Sequence, residues 1–200
     1  MPKASIIIPC YNAERHLADT IRSALAQTMR DIEVICVDNN STDNTAKILN
    51  ELAKQDSRIV VVSEAEPGEG PTRDRGRSLA SGDWLYFLDS DDLMKPTLLS
   101  DAITQGELDA ADIVIFRTTY LDDKTGEHRP CPECFETSWI HNWIGNGDRV
   151  FSPADNPERI LNSFQNWVHN KVFRASFVQQ HSLTFQHVKR MADILFTCRA

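Results

Sequence analysis

Residues 84–92 read Trp-Leu-Tyr-Phe-Leu-Asp-Ser-Asp-Asp, and this stretch decides the fold class. Five consecutive apolar residues are typical of a short strand that is buried inside a sheet. The run ends in three carboxylates within four residues, Asp89, Asp91 and Asp92. In an open parallel α/β sheet, ligands bind beyond the carboxyl ends of the strands. The stretch therefore predicts a buried strand that delivers acidic side chains to the functional edge of a sheet.

Strand and helix patterns alternate on both sides of this stretch. Short apolar runs predict strands at 4–8, 32–37, 59–62, 84–88 and 112–116. Apolar residues at helical spacing predict helices at 13–27, up to 55, at 72–80 and around 98–103. A strand at 166–173 and helices at 175–180 and from 193 are predicted later in the chain. The alternation predicts an α/β fold, with a mostly parallel central sheet, helices on both faces and the carboxylates after the fourth strand.

The composition excludes several classes of protein. The chain has 200 residues, which is enough for one domain with a sizeable core. Its 21 basic and 29 acidic residues give a net charge of −8 without a Lys/Arg cluster, so binding to nucleic acid or anionic lipid is not expected. No apolar run approaches the ~20 residues that span a bilayer. Five cysteines and no signal-peptide core predict a cytoplasmic or cytoplasm-facing protein with reduced thiols.

The turn after the first strand and the carboxylate cluster indicate which class of ligand the chain can bind. Residues 9–14, after the first strand, hold no glycine, whereas a Rossmann dinucleotide site needs glycines there. Clustered carboxylates repel one another unless a hard cation such as Mg²⁺ or Mn²⁺ lies among them. Mg²⁺ is commonly held by carboxylates together with substrate phosphates. The alternative is that the carboxylates cap the next helix, although a cap needs only one aspartate.

Several motifs, in one order, resemble family 2 glycosyltransferases, which use nucleotide-diphospho-sugars and have the GT-A fold. The matching stretches are 5–12 (Ser-Ile-Ile-Ile-Pro-Cys-Tyr-Asn), 37–43 (Val-Asp-Asn-Asn-Ser-Thr-Asp), 73–76 (Arg-Asp-Arg-Gly), 82–83 (Gly-Asp) and 88–92 (Leu-Asp-Ser-Asp-Asp). The resemblance returns at His169-Asn170-Lys171, where the family often has Trp-Asn-Lys. It returns again at Ala192-Asp193, where the family often has Glu-Asp.

The resemblance implies how the nucleotide is bound. Pro9 and Tyr11 would line the base pocket, with Tyr11 against the nucleobase. Asp38 would accept a hydrogen bond from the base edge, and Arg73 would reach the nucleotide near the base or the phosphates. The predicted nucleotide-sugar site has the following members: Pro9, Tyr11, Glu14, Asp38, Arg73, Asp89 and Ser90.

The resemblance also implies the metal site and the base. Asp89 and Asp91 form the Asp-x-Asp motif, which would hold Mn²⁺ or Mg²⁺ against the diphosphate, and such an ion stabilises the charge on the leaving group. Asp193 would be the general base that takes the proton of the acceptor hydroxyl. One base without a second nucleophile predicts inversion at the anomeric carbon, and the resemblance implies a metal-dependent, hexosyltransferase-like enzyme.

The implied reaction moves a sugar from a nucleotide-diphospho-sugar, with UDP-sugar favoured, to a hydroxyl of a saccharide or lipid-linked acceptor in cell-surface polysaccharide synthesis. Within one domain, 1–116 would bind the nucleotide-sugar, and 117–200 would form a flap and part of the acceptor side. We expect the sequence to be truncated at its C-terminus. Peripheral attachment to a membrane would occur only through the missing regions. We also expect that two copies of the chain form a homodimer. Two alternatives stay open: a degenerate sugar-nucleotide-binding module without transferase activity, and a nucleotidyltransferase.

The chain departs from the family pattern at two places. Asn39 and Asn40 stand where Asp-Gly is usual, and Asn40 tolerates the left-handed geometry of a turn better than most residues. Ala192 replaces the usual Glu, which would change acceptor contacts or the basicity of Asp193.

Three further groups have two readings each. Four residues with zinc-ligand chemistry could instead be ordinary loop residues: His128, Cys131, Cys134 and His141. Three tryptophans could stack on sugar rings, although core or flap packing is commoner: Trp139, Trp143 and Trp167. Three histidines are expected to be surface or core residues rather than catalytic groups: His169, His181 and His187.

Overall fold

The computed structural model describes residues 1–134, 150, 152, 165–188 and 191–200, and the fold below is that of these residues. The strands are β1 (Ala4–Cys10), β2 (Ile32–Asp38), β3 (Ile59–Ser63), β4 (Trp84–Phe87), β5 (Ile113–Ile115), β6 (Thr119–Leu121), β7 (His128–Pro130) and β8 (Lys171–Arg174). The helices are α1 (Leu17–Leu25), α2 (Thr45–Ala53), α3 (Glu69–Leu79), α4 (Leu98–Leu108), α5 (Ala175–Gln180) and α6 (Asp193–Arg199). None of these helices has the length and apolarity that a membrane span requires.

Six strands form the central sheet, in the order β3-β2-β1-β4-β8-β5. Strands β1 to β4 are parallel, whereas β8 is antiparallel to both of its neighbours, β4 and β5. The predicted α/β class with a mostly parallel sheet is therefore confirmed. The strand predicted at 166–173 is wrong in its bounds, because the chain turns just before β8, where the Lys171 amide donates to the Val168 carbonyl at 3.1 Å.

A separate two-stranded sheet pairs β6 with β7. A turn at 122–126 joins them, and the Gly126 amide donates to the Asp122 carbonyl at 2.8 Å. All residues of both strands are exposed. This hairpin therefore stands outside the two cores that hold the central sheet.

Strand β1 shows why the sheet carries helices on both faces. Its side chains alternate in direction, as in any strand, so that Ile6 and Ile8 enter one core and Ile7 enters the other. The first core contains the buried faces of α1, α2 and α4. The second contains Phe87 and Phe196 and packs against the opposite face of the sheet. Both faces are thus covered, as predicted.

Helix α3 lies very close to β1 because it has a glycine at the contact. A Cβ atom at Gly76 would lie 2.4 Å from Ile7 Cγ2 and 3.2 Å from Val37 Cγ2. A larger residue would lift the helix away from the sheet. Arg73 lies one turn before Gly76, on the same side of the helix, so this close packing also positions Arg73 at the carboxyl edge.

Candidate active site

The candidate site is a cavity of about 1050 Å³ at the carboxyl edge of the sheet, next to the ends of β1 and β4. The strand order reverses here, because the sheet continues from β1 to β2 on one side and to β4 on the other. Open α/β sheets bind their ligands at such a switch point. The lining comes from 9–11, 39–40, 67–69, 72–73, 89–91 and 187–188.

Arg73 is the buried cation of this cavity. Its Nη2 donates to Asp89 Oδ1 at 2.7 Å and its Nη1 donates to Glu69 Oε2 at 2.9 Å. Only 5% of the side chain is exposed, and Nε has no hydrogen-bond partner among the described residues. Burial by itself would lower the pKa of Arg73, but the charges of Asp89 and Glu69 outweigh it and raise that pKa. Arg73 is therefore a fixed positive charge beside the cavity.

The carboxylates after β4 are in unequal environments. Burial works against ionisation of Asp89, but the hydrogen bond with His169 and the charge of Arg73 lower its pKa to about 2. Partial burial, together with the negative charge of Asp89, raises the pKa of Asp92 to about 6. Like charges disfavour ionisation unless an opposite charge compensates them. The loop thus carries more negative charge than Arg73 balances, and a cation would relieve the repulsion.

Part of this loop forms a group that can hold a metal ion. Asp89, Asp92 and His169 each place one potential ligand atom within 4.8 Å of the others. Two carboxylates and one imidazole are a donor set that suits a divalent transition ion such as Mn²⁺. Asp91 lines the cavity but is not a member of this group, so its role as a metal ligand stays a prediction.

Buried polar side chains of helix α1 and of the residues just after it hold the acidic loop. Thr20 Oγ1 donates to the Ser90 carbonyl at 2.9 Å. Gln27 Nε2 donates to the Lys95 carbonyl at 2.8 Å. Both Thr20 and Gln27 are fully buried, so these bonds are shielded from water. The loop is thereby fixed from the side of the helix as well as from β4.

The turns after β1 and β2 are hydrogen-bonded to each other. Asn12 has φ 47°, and its side-chain oxygen accepts from the Thr42 amide at 2.8 Å. Glu14 Oε2 accepts from the Asn44 amide at 3.0 Å and from its side-chain amide at 2.7 Å. Glu14 is not among the cavity-lining residues, and its predicted role in binding the nucleotide-sugar stays a prediction.

Asn39 and Asn40 together attach the loop after β3 to the end of β2. The Asn39 amide nitrogen donates to the carbonyls of Glu64 and Glu66 at 2.8 and 2.7 Å, and its oxygen accepts from the Gly68 amide at 2.9 Å. Asn40 has φ 59°, which confirms the predicted left-handed turn, and it also donates to this loop. The departure from Asp-Gly is therefore accompanied by a set of amide contacts that position one wall of the cavity.

Segment 183–188 contributes a second wall. Phe185 packs edge-on against Phe87 at 4.9 Å between ring centroids, and its amide donates to Asp74 Oδ2 at 3.1 Å. His187 Nδ1 lies 2.9 Å from Glu66 Oε1, which joins this wall to the loop after β3. His187 and Val188 reach the cavity itself. His187 is an exposed residue, as predicted, but it belongs to the site.

Asp193 begins α6 and is not among the cavity-lining residues. Helix α6 is anchored by Phe196, which is buried and stacks on Phe185 at 4.2 Å. Burial lowers the pKa of Lys171 to about 8, and the charge of Asp193 opposes this shift. The Asp193 carboxylate thus lies close enough to the buried Lys171 amine for their charges to interact.

The structure brings most of the predicted site residues together and leaves three aside. The predicted residues that line the cavity are Pro9, Tyr11, Arg73, Asp89, Ser90 and Asp91. Those outside the lining are Glu14, Asp38 and Asp193. Asp38 is half-buried at the end of β2, where its Oδ1 accepts from the Ser41 amide at 3.4 Å. The binding role of Asp38 and the catalytic role of Asp193 stay predictions.

His169 is the site residue that the sequence analysis missed. It was expected to be a surface or core histidine, but its Nδ1 lies 3.5 Å from Asp89 Oδ2. The signal in the sequence was its position, because His169 stands where the related motif often has Trp. The third of these histidines, His181, is exposed and packs its ring near Phe177.

The zinc hypothesis gains no support from the described residues. Cys131 and Cys134 are buried, and Cys134 Sγ lies 2.8 Å from Thr118 Oγ1. His128 does not join them in a metal-ligating group within the described part of the chain. Three of the residues considered earlier lie outside that part: Trp139, His141 and Trp143.

Comparison with known proteins gives the family. The chain is 29% identical over 203 residues to a poly(ribitol-phosphate) beta-glucosyltransferase of Bacillus spizizenii, which covers 99% of the chain and 29% of that protein. S. aureus TarS 1-349 in complex with UDP-GlcNAc has a TM-score of 0.76 at 24% identity, covering 99% of the chain and 53% of TarS. The mannosyltransferase PcManGT from Pyrobaculum calidifontis, in complex with GDP-Man and Mn²⁺, has a TM-score of 0.66 at 17% identity, covering 98% of the chain and 50% of that protein.

These likenesses establish the GT-A fold. The chain spans from about a fifth to just over half of the length of the curated relatives that it matches. The model of the family described as Glycosyl transferase family 2 matches residues 5–181, which is most of the chain. The cavity at the β1–β4 switch point, its buried arginine and the carboxylates after β4 thus belong to a member of glycosyl transferase family 2.

Proposed function

We propose that the chain is the donor-binding part of an inverting glycosyltransferase. It would transfer a sugar from a UDP-sugar to a hydroxyl of a saccharide or lipid-linked acceptor during the synthesis of a cell-surface polysaccharide. TarS supports the choice of donor, since its complex holds UDP-GlcNAc, and the poly(ribitol-phosphate) beta-glucosyltransferase supports the choice of acceptor class. The five cysteines all lie in the described part of the chain and form no disulfide, which supports a reaction in the cytoplasm.

The observation that carries the proposal is the Arg73–Asp89 pair beside the switch-point cavity. A sugar nucleotide needs a wall for its base, a cation for its phosphates and carboxylates for its ribose and metal. Tyr11 is 64% exposed at the cavity and offers an aromatic face to a base. Arg73 supplies the buried cation, and Asp91 supplies an exposed carboxylate at the same cavity.

The carboxylates after β4 also fit the cation that such a reaction uses. Asp89 and Asp91, as the Asp-x-Asp motif, or Asp89 with its neighbour Asp92, would hold Mn²⁺ or Mg²⁺. When bound, that ion would stabilise the charge that develops on the leaving diphosphate. Arg73 would keep Asp89 ionised and oriented, because it occupies one of the two carboxylate oxygens.

The proposed transfer is a direct displacement at the anomeric carbon. The acceptor oxygen forms the new bond to that carbon while the bond to the diphosphate oxygen breaks, and the diphosphate leaves with the bonding electrons. Asp193 takes the proton of the acceptor hydroxyl, which a carboxylate can do as a general base. A single displacement inverts the configuration of the anomeric carbon.

Ligand-dependent unfolding tests the donor. We expect UDP and a UDP-sugar to raise the unfolding temperature of the chain when Mn²⁺ or Mg²⁺ is present. A ligand at 100 times its dissociation constant adds about 2.7 kcal/mol to the free energy of unfolding. GDP and GDP-mannose, which carry a different base, serve as the matched control ligands. Equal stabilisation in EDTA would overturn the role of the metal, and stabilisation by no sugar nucleotide would overturn the proposed function.

Release of sugar from the donor separates a transferase from a degenerate binding module. Water can replace the acceptor in the displacement, so we expect slow, metal-dependent hydrolysis of the UDP-sugar to UDP and an inverted sugar. Nuclear magnetic resonance of the anomeric proton reads the configuration of the product. Tight binding of the donor with no hydrolysis, and with no transfer to any saccharide acceptor, would favour the binding module.

A further inference from the structure

The loop after β4 meets a second segment of the chain, and this meeting brings a nitrogen ligand to the carboxylates. His169 comes just before β8, the antiparallel strand that lies beside β4. Its Nδ1 faces Asp89 Oδ2 at 3.5 Å, while Arg73 occupies the other oxygen of that carboxylate. Asp92 completes a group whose potential ligand atoms all lie within 4.8 Å.

Two contacts hold His169 in this position. Its ring stacks on Trp167, with 5.1 Å between the centroids and 23° between the planes. Its carbonyl accepts a hydrogen bond of 2.9 Å from the Tyr86 hydroxyl, which is buried in β4. The imidazole is therefore orientated before any ligand arrives, which is what a metal ligand requires.

Lys171 fixes the backbone on both sides of Trp167. Its Nζ donates to the carbonyl of Gln165 at 2.6 Å and to that of Trp167 at 2.7 Å. The same nitrogen donates to Asn170 Oδ1 at 2.8 Å. The segment that carries His169 thus has a buried hydrogen-bonded core of its own.

We propose that His169 is a ligand of the divalent cation, together with Asp89 and Asp92, so that this chain holds its metal in a mixed nitrogen and oxygen site. The inference rests on the proposed function, which supplies the reason for a cation here. The 3.5 Å between Nδ1 and Oδ2 fits two ligands of one ion, because bonds of about 2.1 Å put neighbouring ligand atoms about 3 to 4 Å apart.

The donor set has a consequence for the choice of metal. Mg²⁺ prefers oxygen ligands, whereas imidazole nitrogen is a better ligand for transition-metal ions. His169 should therefore shift the site toward Mn²⁺ and Co²⁺ and away from Mg²⁺. If His169 were only a cationic partner of Asp89, it would instead repel every divalent ion to a similar degree.

Electron paramagnetic resonance of Mn²⁺ tests the ligand directly. The chain is titrated with Mn²⁺ alone and with Mn²⁺ plus UDP, and electron spin-echo modulation reports a ¹⁴N nucleus bound to the ion. We expect ¹⁴N modulation in the wild-type chain, its loss in His169→Gln, and a loss of about tenfold or more in Mn²⁺ affinity. Mg²⁺ affinity should change less. His181→Gln is the matched control, since His181 is exposed and distant in sequence from the loop, and it should change neither.

A second variant keeps the test decisive if His169→Gln does not fold. His169→Trp retains an aromatic ring against Trp167 and removes the ligand nitrogen, so it should also lose the ¹⁴N modulation. Absence of ¹⁴N modulation in the wild-type Mn²⁺ complex, or unchanged Mn²⁺ affinity in both variants, would overturn the proposal. If Mn²⁺–UDP binds without ¹⁴N modulation, His169 is not a ligand but the proposed function stands. If ¹⁴N modulation is seen and UDP does not bind, His169 is a ligand but the proposed function is rejected.

Discussion

Arg73 Nη2 donates a hydrogen bond of 2.7 Å to Asp89 Oδ1, and this contact joins the first turns of α3 to the end of β4. The two residues are 16 positions apart in the chain and belong to two different motifs of the sequence. Arg73 is buried, while Asp89 is about one third exposed toward the cavity. The pair therefore has a buried side that stabilises the fold and an open side that can meet a ligand.

Removal of Arg73 should destabilise the fold as well as weaken nucleotide binding. Arg73→Met keeps much of the side-chain volume but leaves Asp89 without the guanidinium that donates to its Oδ1. Breaking a buried ion pair by removing one partner costs about 3 to 5 kcal/mol, and because Asp89 is partly exposed we expect a loss at or below the lower end of this range. Urea denaturation measures the change in the free energy of unfolding.

Two further variants make the Arg73 experiment specific. Arg75→Met changes an exposed arginine of the same helix and should leave stability nearly unchanged. Adding Asp89→Asn to Arg73→Met removes the unpaired carboxylate, so the double variant should be more stable than Arg73→Met alone. Equal stability of Arg73→Met and the wild-type chain would show that the pair contributes nothing to the fold.

Asp91 should matter for ligand binding and not for folding. Its side chain is exposed at the cavity, and it adds negative charge to a loop that already carries Asp89 and Asp92. Asp91→Ala should therefore abolish metal-dependent UDP binding while the unfolding temperature without ligand stays the same or rises. Calorimetric titration with UDP and Mn²⁺ measures the affinity, and Asp101→Ala on α4 is the control. Unchanged UDP affinity would mean that Asp91 only favours the helix that follows.

The edge of the sheet could be predicted because its signals are local. The run Leu85–Leu88 followed by Asp89 predicts within a few residues a buried strand that ends in an acidic turn. The run at 4–8 likewise predicts a buried strand, and the turn after it carries Tyr11. The structure places Tyr11 and Asp89 at one cavity, because parallel strands deliver their carboxyl ends to the same edge.

The rest of the site depends on contacts between distant residues. His169 reaches Asp89 only because β8 inserts between β4 and β5 in the opposite direction, and no local pattern encodes that insertion. Thr20 and Gln27 were part of an ordinary amphipathic helix in the sequence, yet their buried hydrogen bonds hold the acidic loop. Periodicity identifies a buried face, but it does not say which polar groups on that face find partners.

Asn39 should be required as an amide, even though Asp is usual at the related position. In Asn39→Asp the carboxylate would face the carbonyl oxygens of Glu64 and Glu66, which now accept from the amide nitrogen. We expect a loss of about 1 to 3 kcal/mol in the free energy of unfolding, because the buried side chain would lose two hydrogen bonds and would set a carboxylate against two carbonyl oxygens. Weaker UDP binding should accompany it, since the same loop forms a wall of the cavity.

Asn40→Asp is the matched variant for this prediction. Asn40 also donates to the loop, but it is exposed, so water can replace the lost bonds. Its left-handed conformation is accessible to Asp as well. Equal losses of stability in the two variants would mean that charge, and not the buried amide contacts of Asn39, is responsible.

Gly70 should control the position of the second cavity wall. A Cβ atom at Gly70 would lie 2.0 Å from the Gln186 carbonyl oxygen, which is backbone and cannot rotate away. Gly70→Ala should therefore displace segment 183–188, lower stability and weaken UDP binding. Hydrogen exchange of the amides in this segment measures the displacement, with Arg75→Ala on the same helix as control. Wild-type exchange in Gly70→Ala would show that the segment is not held by this contact.

Asp193 should be needed for chemistry and dispensable for donor binding. It lies at the start of α6 and outside the cavity lining. Asp193→Asn should therefore leave UDP affinity within about twofold of the wild-type value. A tenfold change would correspond to about 1.4 kcal/mol in binding free energy, so the expected change is small. The amide cannot take a proton from the acceptor hydroxyl or from water. Hydrolysis of the UDP-sugar should therefore fall by about 10² to 10⁴-fold, which is the usual contribution of a general base.

A merely structural role of Asp193 would give a different result. Helix α6 is anchored by Phe196 in the second core, so Phe196→Leu should lower stability and disturb hydrolysis through the fold. Asp193→Asn should instead keep the unfolding temperature while hydrolysis falls, and Asp193→Glu should restore part of the rate because it restores a carboxylate. Wild-type hydrolysis by Asp193→Asn would remove Asp193 as the base. A parallel loss of stability and rate would make it a residue that only supports α6.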